Sequence, residues 1–256
     1  MGILNMAKGL AAKAASPVMI DKFEPQILTM IDKAMDLAAP LVSRRVKSLR
    51  ESDPEATNQD LLDQVAARFV KSASVTAGAT GAVGFMPGIG TAAAIGLSAA
   101  QLSAFFTQTA YFVLLALEIE GLQAIDKDQR RGLMLTALLG PDGPALAARE
   151  LGTTSSLWAQ SILKMMAGAK GPRLNKFLAK YAARRAKKAA TKQLLGRAMP
   201  LGLGALVGYF GTRKIAREVV AGAYAGLGHL ELPNFDETGE ADPEFAELAE
   251  KASAEN

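Results

Sequence analysis

Apolar residues recur along this chain at three- and four-residue spacing and hardly ever in strict alternation, which is the pattern of helices rather than strands. Ile3, Leu4, Ala7, Leu10 and Ala14 share one side of residues 1–16, with Lys8 and Lys13 towards the other, an amphipathic segment that Pro17 closes. From Pro25, Ile27, Leu28, Ile31 and Met35 follow helical spacing, and Pro40 is expected to kink or end that helix. A second piece carries Leu41, Val42, Val46 and Leu49. Thr57 with Asp60 reads as a capping box opening a helix through Leu61, Leu62, Val65, Phe69 and Val70. Asp126 with Gln129 opens another, which stops at the turn sequence Gly140-Pro141-Asp142-Gly143-Pro144. Further helical patterns cover roughly 144–151, 154–169, 173–197 and 198–228.

Between Ser72 and Leu117 the amphipathic pattern disappears, because no Asp, Glu, Lys, Arg or His occurs there. Such a stretch must be hidden from water, either as a helical hairpin inside a protein core or as one that enters lipid. Pro87, Gly88 and Gly90 break it near its middle. The first arm is rich in Ala, Gly, Ser and Thr, whereas the second ends in the stronger run Tyr111 to Leu117. Each arm has about the 20 residues needed to cross a hydrocarbon core. Small residues recur every four positions at Ala73, Ala77 and Gly81, and at Gly84 and Gly88; the later pairs Gly204/Gly208 and Gly222/Gly226 repeat the device. Rows of this kind let helix backbones approach closely, in lipid or in a tight soluble core. The expected core is therefore the 72–117 hairpin packed against the 198–228 helix.

Composition sharpens this into an all-α chain, a multi-helix bundle around a Gly/Ala-rich hairpin that is buried or membrane-inserting. Half the residues are hydrophobic, but few are aromatic. With no cysteine, disulfides, thiolate metal sites and cysteine nucleophiles are excluded together. One histidine, His229, excludes a multi-histidine metal site. Met1 to Leu10 lack the basic start and apolar centre of a secretory signal, so a cytoplasmic location is expected.

The net charge of +4 conceals an asymmetry. Leu151 to Arg217 holds fourteen Lys and Arg and no acid, whereas residues 231–256 hold nine acids against Lys251. Lys170, Arg173, Lys176, Lys180, Arg184, Arg185, Lys187, Lys188, Lys192 and Arg197 form a broad cationic face, with Leu174, Phe177, Leu178, Tyr181 and Leu195 supplying an apolar side. A basic amphipathic helix with long stems suits anionic headgroups, each cation near the surface adding about 1 kcal/mol. A solvated helix face gives the same pattern. Nucleic acid is a third partner for such a face, but the adjoining Gly/Leu-rich segments favour lipid. The acidic residues 231–256, with Pro233 and Pro243, read as a disordered tail that solubilises the protein or clamps onto the cationic face.

Candidate chemistry is sparse. Gly88-Ile89-Gly90-Thr91-Ala92-Ala93 satisfies a loose dinucleotide pattern, but that site needs a preceding strand, and the residues before it are helical in composition. Ser161 and Lys164 have the spacing of serine–lysine acyl-transfer enzymes without the companion motifs, and read better as a solvent-facing helix pair. His229 has no assignable serine or carboxylate partner and reads as a helix-end or interface histidine. No catalytic, cofactor or metal residues are therefore assigned.

Thr80 to Gly90 (TGAVGFMPGIG) and Arg197 to Gly208 (RAMPLGLGALVG), the latter running into Thr212-Arg213-Lys214-Ile215-Ala216-Arg217, occur together in one chain. A Gly-rich segment entering an apolar helix, followed by a late Pro/Gly helix and basic residues, resembles the bacterial EcsC family. The resemblance covers about residues 25–228 and brings no catalytic set. It implies an EcsC-like helical domain over 17–230. A peptidase-like label carried by some members finds no HExxH sequence here.

The expected role is that of a non-enzymatic, membrane-associated protein at the cytoplasmic face. It is peripheral to the inner side of the cell membrane, or integral if the hairpin spans. Its expected partner is an anionic phospholipid surface or a membrane protein complex, with no nucleic acid. Two other classes compete: a peptidase-like hydrolase, and a soluble helical partner-binding module.

Overall fold

The computed structural model describes residues 17–83, 91–122, 126–152, 164, 170–194, 203–229, 231–233, 235 and 242–254. Among them lie eight helices and no strand: α1 (Pro17–Ser52), α2 (Asn58–Val83), α3 (Thr91–Ile119), α4 (Lys127–Leu138), α5 (Asp142–Leu151), α6 (Lys170–Leu194), α7 (Leu203–Leu227) and α8 (Pro243–Ala254). The all-α architecture expected from the spacing is what forms, with the helices packed on one another as a bundle.

α1 contains Pro25 and continues through Pro40, which was expected to kink or end it. The reason is a single apolar stripe: Ile31, Ala34, Met35, Ala38, Val42, Val46 and Leu49 are all buried, on both sides of Pro40. Pro40 itself is exposed, so its ring faces solvent. A proline inside a helix costs about 3 kcal/mol, and each fully buried aliphatic side chain returns about 1.5–3 kcal/mol. A continuous stripe therefore outweighs the interruption. The amphipathic segment expected over residues 1–16 lies outside the described residues.

Both capping boxes form. The Thr57 amide donates to Asp60 Oδ2 at 2.9 Å and the Asp60 amide to Thr57 Oγ1 at 3.2 Å. At α4, the Gln129 amide donates to Asp126 Oδ1 at 2.8 Å and the Asp126 amide to Gln129 Oε1 at 3.1 Å. The turn after α4 needs its glycines. Gly140 has φ +71°, and a Cβ at Gly143 would lie 2.0 Å from the Thr136 carbonyl oxygen.

The core sits around α3. Phe69 of α2 stacks on Phe112 of α3 at 4.9 Å, and Gln108 Nε2 donates to Thr76 Oγ1, so the two arms run antiparallel. Three of their hydroxyls are satisfied within their own helix. Ser74, Thr107 and Thr109 donate to the carbonyls of Val70, Ser103 and Phe105 one turn back.

The 198–228 helix was expected to pack against the hairpin, and α7 does so along the first arm, α2, while the second arm, α3, packs mainly against α1, α8 and α2. The physical reason is that α3 is apolar on every side and needs several partners, more than one helix can supply. The acidic segment was expected to be a disordered tail, yet residues 243–254 form α8, with Phe245, Leu248, Ala249 and Ala252 buried. Those four lie at i, i+3, i+4 and i+7, which leaves Glu247 and Glu250 on the outer face of an amphipathic helix.

Candidate functional site

Two regions carry the residues singled out in the sequence: the cationic helix α6 and the uncharged helix α3. On α6, Gly171, Leu174, Asn175, Leu178 and Ala179 are buried against the bundle, facing α4, α1 and α5. The Asn175 amide nitrogen anchors this face by donating to the Asp128 backbone oxygen at 3.1 Å and to its Oδ1 at 2.9 Å. The opposite side holds Lys170, Arg173 and Lys176, all exposed, with Tyr181 exposed beyond them and Lys180 half-buried. No acid occurs anywhere in α6, so nothing on the same helix neutralises these cations. The backbone of Arg184, Arg185, Lys187, Lys188 and Lys192 continues the helix, but their side chains, like all of Arg197, lie outside the described residues.

Beneath the first turns of α6, a cluster of charge ties α1 to α4. Arg131 grips Asp32 through two hydrogen bonds of 2.7 and 2.6 Å, and Lys127 approaches the same carboxylate at 3.0 Å. Burial pushes the Asp32 carboxyl up, but hydrogen bonds and charge from Arg131 and Lys127 outweigh it, and the group is held below its ordinary value. The same pairing pushes the Arg131 guanidinium up.

α3 contains the one segment among the described residues that is long and apolar enough to cross a bilayer, Leu102–Ile119, and 72% of it is buried inside the bundle. A soluble core helix passes that test equally well. The bend residues Pro87, Gly88 and Gly90 lie outside the described residues, as does Gly84. Gly81, Gly204 and Gly208 are on α2 and α7 without described surroundings. Gly222 and Gly226 are buried in α7. Gly222 serves a different neighbour from the one expected: a Cβ there would meet the Gly140 and Ala137 carbonyl oxygens at 2.7 and 2.8 Å, so it admits the end of α4 rather than the hairpin.

Sequence reasoning missed a third region, at the amino terminus of α8. Asp242, buried, pairs with Arg45 of α1 and lies 3.5 Å from Arg68 of α2, while Glu244 lies 3.5 Å from Arg45 and hydrogen-bonds the Tyr111 hydroxyl. The Asp242 amide donates to Ser72 Oγ at 3.0 Å. A legible signal existed: an acid before Pro243, then apolar residues at helical spacing, is a helix start. The charge of the segment masked it. The acids that open α8 meet α1 and α2, so the expected clamp onto the cationic face is not among these contacts.

The remaining candidates give little chemistry. His229 follows the end of α7, with Nε2 3.4 Å from a Glu120 oxygen and its ring 5.7 Å from Tyr224. Tyr224 donates to Asp63 Oδ1 at 2.7 Å; burial, then that carboxylate, pushes its phenol up, so it stays protonated. Ser161 lies outside the described residues, and Lys164 is exposed. A cavity of about 10 Å³ lined by Val113, Leu117, Leu133 and Ala223 has room for about one water and is apolar. No group of three or more His, Asp or Glu side chains that could hold a metal occurs among the described residues. Comparison with known protein families, with curated proteins and with solved structures gives no match for this chain.

Proposed function

We propose that this chain is a membrane-associated binding protein that meets anionic phospholipid headgroups at the cytoplasmic face through α6. The observation that carries the reading is the row Lys170, Arg173 and Lys176, exposed on one side of a helix whose other side is seated in the bundle. A fixed row of cations on a rigid scaffold meets an anionic surface without the entropic loss of ordering a flexible segment. The expected EcsC relationship belongs to the same proposal, as does a location peripheral to the inner face of the membrane. Cooperation between α6 and the apolar second arm would supply the two anchoring signals that stable membrane attachment needs.

Co-sedimentation with phosphatidylglycerol vesicles tests this directly. Binding is expected at low ionic strength, weakening as salt screens the cations, and absent with phosphatidylcholine. Protein that stays in the supernatant with both lipids at low salt overturns it.

The burial of Leu102–Ile119 favours one competing reading, a soluble helical module that binds a protein partner. Membrane fractionation separates the two. A soluble module stays in the lysate supernatant, whereas a peripheral protein sediments with membranes and is released by carbonate.

A further inference from the structure

The charge cluster at the start of α8 is placed where it can act. Arg45 and Arg68 converge on one carboxylate, Asp242, whose side chain is 4% exposed, while their own side chains stay 21% and 37% exposed. Two guanidiniums around an anion, with one edge open to solvent, are also the donor set that a phosphate oxyanion takes. The carboxylates of α8 therefore fill an anion site from within.

What those carboxylates hold shut is α3. From its fastened first turn, α8 runs antiparallel along that helix. Glu244 meets Tyr111, the Phe245 carbonyl accepts from Gln108 Nε2 at 3.0 Å, and Ser253 Oγ reaches the Ala100 carbonyl at 3.4 Å. Phe245 covers Tyr111 edge-on at 4.9 Å and Phe69 at 5.9 Å. Without α8, the uncharged stretch from Ala100 to Tyr111 would lose the cover that these contacts supply. The interface is also incompletely satisfied, because Gln108 is fully buried and its Oε1 has no hydrogen-bond partner. A helix of twelve residues seated over an unpartnered amide oxygen is held less tightly than a fully satisfied contact of the same size.

Resting on the lipid-binding reading above, we infer that Arg45 and Arg68 form a second headgroup site: a phospholipid phosphate displaces Asp242 and Glu244, α8 leaves α3, and the uncovered helix meets the bilayer. The first encounter belongs to α6, and the exchange at Arg45 and Arg68 converts it into a hydrophobic attachment.

The absence of cysteine makes a clean test available. Ala100→Cys with Ser253→Cys places thiols on facing helices, so oxidation locks α8 on α3 and reduction frees it within one protein. Hydrogen exchange over residues 243–254 and labelling of residues 100–111 by a bilayer-soluble photoprobe are the readouts. In the reduced protein, phosphatidylglycerol vesicles are expected to lower α8 protection by roughly tenfold or more and to bring label into α3. Phosphatidylcholine vesicles should do neither. The oxidised protein should still bind phosphatidylglycerol vesicles but take up no label. Asp242→Asn with Glu244→Gln should lower the phosphatidylglycerol content needed for release.

Equal labelling of locked and unlocked protein, with vesicle binding intact, overturns the displacement of α8 and leaves the lipid-binding reading standing. Release of α8 by inorganic phosphate alone overturns the assignment of the site to a lipid. Failure of every form to bind vesicles overturns both proposals.

Discussion

Helices α6 and α8 are both amphipathic and carry charge of opposite sign, yet they direct it differently. α6 keeps Lys170, Arg173 and Lys176 in solvent and is held by Leu174, Asn175, Leu178 and Ala179. α8 turns its first acids inward, so that Asp242 and Glu244 meet Arg45 and Arg68 while Phe245, Leu248, Ala249 and Ala252 enter the core. Only Glu247, Glu250 and Lys251 remain outside, and Glu247 and Lys251 pair with each other at 2.7 Å. The difference teaches that the charge of a segment does not say which way its charges face. A surplus on a docked helix is available to a partner only where the facing helices supply no counter-charge.

The comparison breaks most severely at the apolar seats. Phe245→Ala is expected to cost about 3–5 kcal/mol and to detach α8, read as a lowered denaturation midpoint with loss of exchange protection over 243–254. Leu178, fully buried, should respond on the other side: Leu178→Ala is expected to cost about 2–5 kcal/mol, seen in the same denaturation experiment as loosening of α6.

Polar contacts come next. Asp242→Asn removes the charge that Arg45 and Arg68 share and is expected to cost about 2 kcal/mol, with protection lost first in α8 and not in α6. Replacing Lys170, Arg173 and Lys176 together by Gln should leave stability within about 0.5 kcal/mol, as surface changes do. It should nevertheless weaken phosphatidylglycerol binding by roughly 100-fold, at about 1 kcal/mol per cation. A large loss of stability there would mean that these cations serve the fold.

The smallest effect is in pH. Because the Asp32 carboxyl is held below its ordinary value of 3.8, its contribution to stability is complete above that value and is lost as pH falls through the lower folded one. Acid unfolding of Asp32→Asn should be shallower than that of the parent over this window. The anchor beneath α6 should fail before the contacts of α8 that do not depend on Asp32.

Much of the architecture was legible because its signals are local. Thr57 with Asp60 and Asp126 with Gln129 cap helices through residues three apart, and such signals survive without tertiary context. The apolar face of α6 was legible for the same reason, since its period lies within one helix. Pro40 was misread because its local penalty was visible while the buried stripe on either side of it was a property of the fold. α8 was misread because nine acids dominate residues 231–256 in composition, although four apolar residues at the right spacing decide where the helix goes. Arg45 and Arg68 carried no signal of this pairing. Their partner lies 197 and 174 residues away in the chain.

Taken alone, the amino-acid order determined that this protein is helical, that residues 72–117 must avoid water, and that positive and negative charge are segregated along the chain. Periodicity and charge are properties of neighbouring residues, and they persist whatever the fold. Only the tertiary structure decided that α3 is enclosed by α1, α2 and α8, that α7 lies along α2, and that Asp242 and Glu244 face inward while Lys170, Arg173 and Lys176 face out. Those outcomes depend on which helix surfaces meet, and that follows from burying the whole apolar area at once rather than from any single stretch of sequence.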